Sequence, residues 1–357
     1  MIRDGRKPRL PIVSEDTVTF TLADPQRGYR AVRLTCGLSS RAYALELRRE
    51  GTTWRLQLPR PAVDRLEYEF EVEHPDGACE HICDPANPER VRGEFGDRSV
   101  LLVGAYVAPA WLEGEAVPGR RQAVPVRSRA LRAEVDVQVW APADVAPATS
   151  LPLLVAHDGP TYEAVSRLTR YAAAMIAARR LPPHRVALLP GGDRSEWYSA
   201  SALYARALAD EIIPELRSAV GVQGAPVGIG ASLGGLAMLH AAHRTPGTFG
   251  GLFLQSSSFF TRRFDRHESG FPRFRRIARF VSAAARTQPP PGAPPVVLTC
   301  GIEEENLHNN RAMTQALRAQ EWDAVLHETR GLHDHIAWRD ALDPHLTALL
   351  ARVWRRG

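Results

Sequence analysis

The feature that most narrows the fold is a change of hydrophobic period near residue 130. From about residue 12 to 105, short apolar or alternating runs recur at 18–22, 31–35, 42–47, 54–58 and 68–72. Turn pairs separate them, among them Asp24-Pro25, Glu50-Gly51 and Asp76-Gly77. Period-two runs with this punctuation predict a small all-β sandwich. After residue 130, strand patterns alternate with helix patterns. Residues 135–140 alternate like a first strand, and 151–156 are continuously apolar, as in a strand buried on both faces. Further strands are expected at 186–189, 227–229, 252–254 and 296–299, with helices at 171–180, 204–220, 236–244 and 344–353. That alternation predicts a mostly parallel sheet covered by helices. Between the two patterns, Pro109, Pro118, Gly119 and Pro125 stand in a stretch of little periodicity. The expected division is a β-sandwich over 1–107, a linker over 108–128 and an α/β domain over 129–357, reasonable for 357 residues.

Composition removes several function classes. The net charge of +5 is too small to imply nucleic acid. Its excess is local: residues 260–286 hold eight arginines (262, 263, 266, 273, 275, 276, 279 and 286) against Asp265 and Glu268. The ordinary reading of such a run is a solvated helical face. No run of about 18 apolar residues occurs, so no membrane span is expected. Residues 1–7 are polar and lack the apolar stretch of a signal peptide, which makes the cytoplasm the expected compartment. Cys79 and Cys83 are close enough for a bridge or half a metal site, but no second Cys/His pair of metal-finger spacing accompanies them. With Cys36 and Cys300 they are expected to be structural thiols. Neither a metal nor an organic cofactor is implied.

The chemistry centres on Gly230-Ala231-Ser232-Leu233-Gly234. A serine hydroxyl is a weak nucleophile that needs a base and donors for an oxyanion. Small residues two before and two after the serine allow a sharp strand-to-helix turn that exposes its hydroxyl. Here an apolar strand precedes it and a good helix, Leu236-Ala237-Met238-Leu239-His240, follows. An acid and then a histidine must come later in the chain. The acid lies in Glu303-Glu304-Glu305, just beyond a strand and therefore at the carboxyl end of the sheet. Glu304 is favoured, with Glu303 and Glu305 left open. The base is expected at His333 in Gly331-Leu332-His333-Asp334-His335, with His335 as the alternative. His240, His243 and His308 are further histidines to weigh as the base, of which His240 and His243 read as ordinary helix histidines. Oxyanion donors are expected from the Leu233 N–H and from Asp158 or Gly159 in the loop after 151–156, since Pro160 has no N–H.

Taken together, Gly230-Ala231-Ser232-Leu233-Gly234-Gly235, His157-Asp158-Gly159, Arg194-Ser195-Glu196-Trp197-Tyr198 and Gly331-Leu332-His333-Asp334 resemble the putative esterase family, which includes enterochelin esterase and esterase D. The likeness is strongest to the enterochelin-esterase-like branch and spans about residues 130–350. It implies an α/β-hydrolase preceded by an early-set, immunoglobulin-like sandwich. It implies a nucleophile at Ser232, a base at His333 and an acid at Glu304. It also maps a substrate-binding segment onto Arg194, Glu196 and Trp197. Gly-Leu-His replaces the commoner Gly-Gly-His. The substrates implied are small-molecule esters such as ferric trilactone siderophores, and the arginine excess favours an anionic ester. Two alternatives stand beside hydrolysis. One is acyl transfer to an alcohol or amine through the same triad. The other is a degenerate carbohydrate-binding protein in which Trp54 or Trp111 stacks on sugar.

Overall fold

The computed structural model describes residues 11–93 and 96–355, so residues 1–7 lie outside the described part. The chain divides into two compact units. One runs to Val107 and also takes in Gly301–Glu305 and Arg330–Asp334. The other holds Ala108–Cys300, Asn306–Thr329 and His335–Gly357.

The first unit is built from antiparallel sheets. Strands β1 (Ile12–Val13), β2 (Thr17–Ala23), β4 (Arg48–Glu50) and β5 (Thr53–Pro59) form one sheet in the order β1-β2-β5-β4. Strands β3 (Ala31–Cys36), β6 (Arg65–Glu73), β8 (Arg90–Gly93) and β9 (Gly96–Leu102) form another in the order β3-β6-β9-β8, and β7 (Cys79–Ile82) pairs with β6. Alternation sets which side chains face inward: along β5, Trp54, Leu56 and Leu58 are buried while Arg55 and Gln57 are exposed. Phe20, Leu34, Tyr68 and Phe70 fill the common core. The run 42–47 does not become a strand. It makes one bridge, Glu46 to Arg33, and the Leu45 carbonyl and Leu47 N–H bond to β3. Leu45 and Leu47 are still buried, so the apolar alternation is satisfied without a ladder.

The second unit is an eight-stranded sheet covered by helices. Its strands are β10 (Gly119–Ser128), β11 (Ala133–Pro142), β12 (Leu153–Ala156), β13 (Arg185–Leu188), β14 (Val227–Ala231), β15 (Gly251–Gln255), β16 (Val296–Gly301) and β17 (Ala324–Thr329). They lie in the order β10-β11-β13-β12-β14-β15-β16-β17. The pairs β10–β11 and β11–β13 are antiparallel, whereas β13–β12, β12–β14, β14–β15 and β15–β16 are parallel. The parallel strands β12 to β16 are buried at every residue, as sheets covered on both faces require. The helices are α1 (Gly159–Ala164), α2 (Leu168–Ala177), α3 (Arg194–Trp197), α4 (Ala202–Ala207), α5 (Ile213–Val220), α6 (Leu233–Arg244), α7 (Phe274–Ala284), α8 (Leu307–Ala319), α9 (His335–Asp340) and α10 (Thr347–Trp354).

Two expectations need correcting. The stretch 108–128 is not a plain linker, because β10 within it pairs with β11 over ten residues. Pro125 hid that strand, yet β10 is an edge strand, where a missing N–H is tolerated. The helix expected over 204–220 is broken into α4 and α5 by a wide π-type turn, Leu208–Ile212, just before Pro214.

Candidate active site

At the end of β14 the chain turns sharply into α6, and Ser232 is the turning residue. Its backbone sits at φ 54° and ψ −121°, a left-handed region that side chains rarely adopt. Such a residue costs on the order of 1–3 kcal/mol and persists only when its surroundings hold it. The glycine two before explains the tightness. A Cβ on Gly230 would lie 2.5 Å from the Gly234 carbonyl carbon. Leu233 opens α6, so its N–H belongs to the first turn, where no intrahelical acceptor exists.

The loop after β15 grips the serine from the neighbouring strand. The Ser232 N–H donates to the Gln255 carbonyl at 2.8 Å, and the Ser258 N–H donates to the Ser232 carbonyl at 3.1 Å. The Ser232 and Ser258 hydroxyls are 3.1 Å apart. The loop is itself tied down. The Gln255 amide accepts from the Tyr162 hydroxyl at 2.8 Å and donates to the Trp338 carbonyl at 2.9 Å. Trp338 Nε1 donates to the Ser256 hydroxyl, Asn306 Nδ2 to the Ser256 carbonyl, and the Asn310 amide pairs with both backbone groups of Ser257. Sequence reasoning missed this whole network. Its only linear trace is Gln255-Ser256-Ser257-Ser258, a polar run at a buried strand end.

On the other flank, the loop after β12 carries His157, Asp158 and Gly159. His157 is fully buried, stacks on Tyr198 at 4.5 Å, and donates from Nδ1 to the Gly234 carbonyl at 3.0 Å. Burial pushes its imidazole down to about 4, so it is neutral and tethers the elbow helix. Asp158 and Gly159, the expected oxyanion donors of this loop, have their N–H groups engaged within the protein. The Asp158 N–H is taken by the Tyr198 hydroxyl at 3.2 Å, and the Gly159 N–H by the Leu189 carbonyl at 2.8 Å. A one-dimensional reading cannot see these acceptors, because both come from segments thirty or more residues away.

The Asp158 carboxylate instead meets Arg194 Nε at 3.0 Å. Burial raises the Asp158 carboxyl above its ordinary value, although Arg194 pulls the other way. Glu196 is held by two of the clustered arginines: Arg273 Nε reaches Oε2 and Arg276 Nη1 reaches Oε1, each at 2.6 Å. Burial pushes the Glu196 carboxyl up, but the hydrogen bonds from Arg276 and Arg273 outweigh it and leave it below the ordinary value. Trp197, half-buried, stacks on Tyr204 at 5.6 Å. The arginine run is thus only partly a solvated face. Arg262, Arg263, Arg266, Arg275, Arg279 and Arg286 are exposed, while Arg273 and Arg276 tie α7 to α3.

The acid and base candidates belong to the first unit. His333 Nδ1 is 3.0 Å from Glu304 Oε2, and Glu304 Oε1 accepts the Gly301 N–H at 2.7 Å. The Glu304 side chain is 1% exposed and that of His333 33%, so an anchored carboxylate orients a reachable imidazole. The flanking glutamates are engaged elsewhere. Glu303 Oε1 accepts the Ala62 N–H at 3.0 Å, and its carbonyl accepts the Ser39 N–H at 2.9 Å. Glu305 Oε1 accepts the Ser40 N–H at 3.0 Å. Asp64 pairs with Arg330 Nε at 2.8 Å, and Leu332 sits in the core of the N-terminal unit. The other histidines weighed as bases have packing partners: His335 lies against Tyr162 and Trp338, His240 against Phe280, His243 against Trp322 and His308 against Phe264.

Trp54 and Trp111 are each 6% exposed, so neither offers a face to a sugar. Cys36, Cys79 and Cys83 are free thiols. Among the described residues no group of three or more His, Cys, Asp or Glu could hold a metal, and no helix is long and apolar enough to cross a membrane.

Residues 128–349, more than half of the chain, match the family described as Putative esterase. The chain belongs to the Putative esterase family. Over 277 residues it is 25% identical to the iron(III) enterobactin esterase of Escherichia coli, a match covering 73% of this chain and spanning 65% of that relative's length. A crystal structure of the enterobactin esterase from Shigella flexneri, obtained in the presence of enterobactin, aligns with a TM-score of 0.71 at 22% identity, covering 97% of this chain and 95% of that one. The ferric enterobactin esterase from Salmonella typhimurium aligns at 0.70 and 22% identity over 99% of this chain and 98% of that one. At such identities the structural likeness speaks to the fold: this esterase-family chain has an α/β-hydrolase fold.

Proposed function

We propose that this protein hydrolyses an ester through an acyl-enzyme on Ser232. The observation that carries the reading is the left-handed Ser232 at the β14–α6 turn, strain that a structural turn could relieve with glycine. In the proposed reaction, Ser232 Oγ attacks the ester carbonyl and gives its proton to His333 Nε2. His333, oriented through Nδ1 by Glu304, returns that proton to the leaving alcohol, and water then releases the acyl group. The Leu233 N–H serves as one oxyanion donor. Arg194, Glu196 and Trp197 are proposed to shape the substrate end of the site. The N-terminal unit is proposed to be the immunoglobulin-like sandwich of the enterochelin-esterase branch, and the compartment the cytoplasm.

The proposed substrate is an anionic ester of the trilactone siderophore class. The names of the enterobactin esterases support it, as do the exposed Arg262, Arg263 and Arg266. The test is an ester panel, with iron-loaded and iron-free trilactones beside neutral esters, on the wild type and Ser232→Ala. Trilactone turnover that disappears in the variant is expected. Added salt should raise KM for an anionic ester and not for a neutral one. Equal salt response would remove the anionic assignment, and turnover retained in Ser232→Ala would remove the nucleophile.

A further inference from the structure

Ser258 is buried at 3% exposure, and its hydroxyl lies 3.1 Å from Ser232 Oγ. We propose that Ser258 is a second functional serine, whose O–H donates to Ser232 Oγ and keeps that oxygen poised for attack. The inference rests on the nucleophile assignment above.

A serine oxygen has one proton and two acceptor lone pairs. If Ser232 donates to Ser258, its proton points away from any base. If Ser258 donates to Ser232, one lone pair is occupied, the Ser232 proton is free for a base, and the other lone pair can attack. The bond then strengthens as negative charge grows on Ser232 Oγ, since hydrogen bonds to charged acceptors are the stronger kind. No covalent bond to Ser258 is made or broken.

Three features mark the contact as built. Ser258 holds Ser232 at two points, through its N–H to the Ser232 carbonyl and through its hydroxyl. The residues before it are locked by Asn306, Asn310 and Trp338, so the Ser258 backbone has little freedom to drift. The whole network lies within the α/β unit, and Asn310 braces the same loop through Ser257 without touching the Ser232 hydroxyl.

The test compares Ser258→Ala with Asn310→Ala, reading the rate of Ser232 labelling by a fluorophosphonate, kcat and KM for a small chromogenic ester, and Tm. In Ser258→Ala, labelling and kcat should both fall about tenfold, with KM and Tm near wild type. Asn310→Ala should lower Tm more and labelling less. Wild-type labelling in Ser258→Ala would overturn the proposal. So would a loss of labelling that follows Tm equally in both variants, since Ser258 would then be only a brace. A wild type that never labels would instead overturn the nucleophile assignment, a distinct result.

Discussion

Ser232 and the Glu304–His333 pair are held in different ways. The serine is fixed by its own sheet: a glycine-lined turn, the backbone of the adjacent β15 end, and the His157 tether to Gly234. The acid and base sit on excursions that cluster with the N-terminal sheets and are anchored there by Ser39, Ser40, Ala62 and Asp64. The nucleophile's geometry is therefore a local property of one strand–turn–helix. The geometry of the pair is a long-range property, set by residues some 240 or more positions earlier in the chain. Changes in the N-terminal unit should be felt through His333 and Glu304, and changes in the sheet through Ser232.

The largest expected effect tests the elbow. Ser232→Ala should lower kcat by at least about 10⁴-fold with Tm little changed, because it removes the nucleophile and leaves the strained backbone as it is. Next, Glu304→Gln should lower kcat about 10³- to 10⁴-fold, since an amide cannot hold the imidazole in the right tautomer. Glu303→Gln and Glu305→Gln should each leave kcat within about threefold and cost about 1 kcal/mol of stability, the worth of a hydrogen bond. If Glu303→Gln were as damaging as Glu304→Gln, the division of labour among the three glutamates would be wrong.

A third expectation separates the units by acid sensitivity. His157, His184, His240, His243 and His345, all in the α/β unit, are pushed down to about 4 by burial. Above pH 6.5 their imidazoles are neutral in both folded and unfolded chains. Between 6.5 and about 4 the unfolded chain binds protons that the folded chain refuses, so stability falls as pH drops. Calorimetric Tm should decline steadily from pH 7 to 5, and His240→Phe should flatten that slope. An unchanged slope would remove His240 from the account. The smallest effect is at Asp64. Its partner Arg330 is 54% exposed, so Asp64→Asn should cost at most about 1 kcal/mol and shift kcat less than threefold. A larger loss of kcat would mean that the anchor controls the base more tightly than a screened ion pair can.

What the sequence alone determined is what short spacing encodes. Small residues around Ser232, between a strand and a helix, dictate a sharp turn whatever surrounds them, and period-two and apolar runs separate a β region from an α/β region. The strand 119–128 escaped because Pro125 argues against a strand until one knows that it lies at an edge. The partners were decided only by tertiary structure. Which glutamate meets His333, which N–H groups of the His157-Asp158-Gly159 loop are already taken, and which arginines Glu196 neutralises all depend on atoms brought together from distant segments. Hydrogen-bond geometry acts over about 3 Å, and no local pattern in the chain reports a contact made at that range.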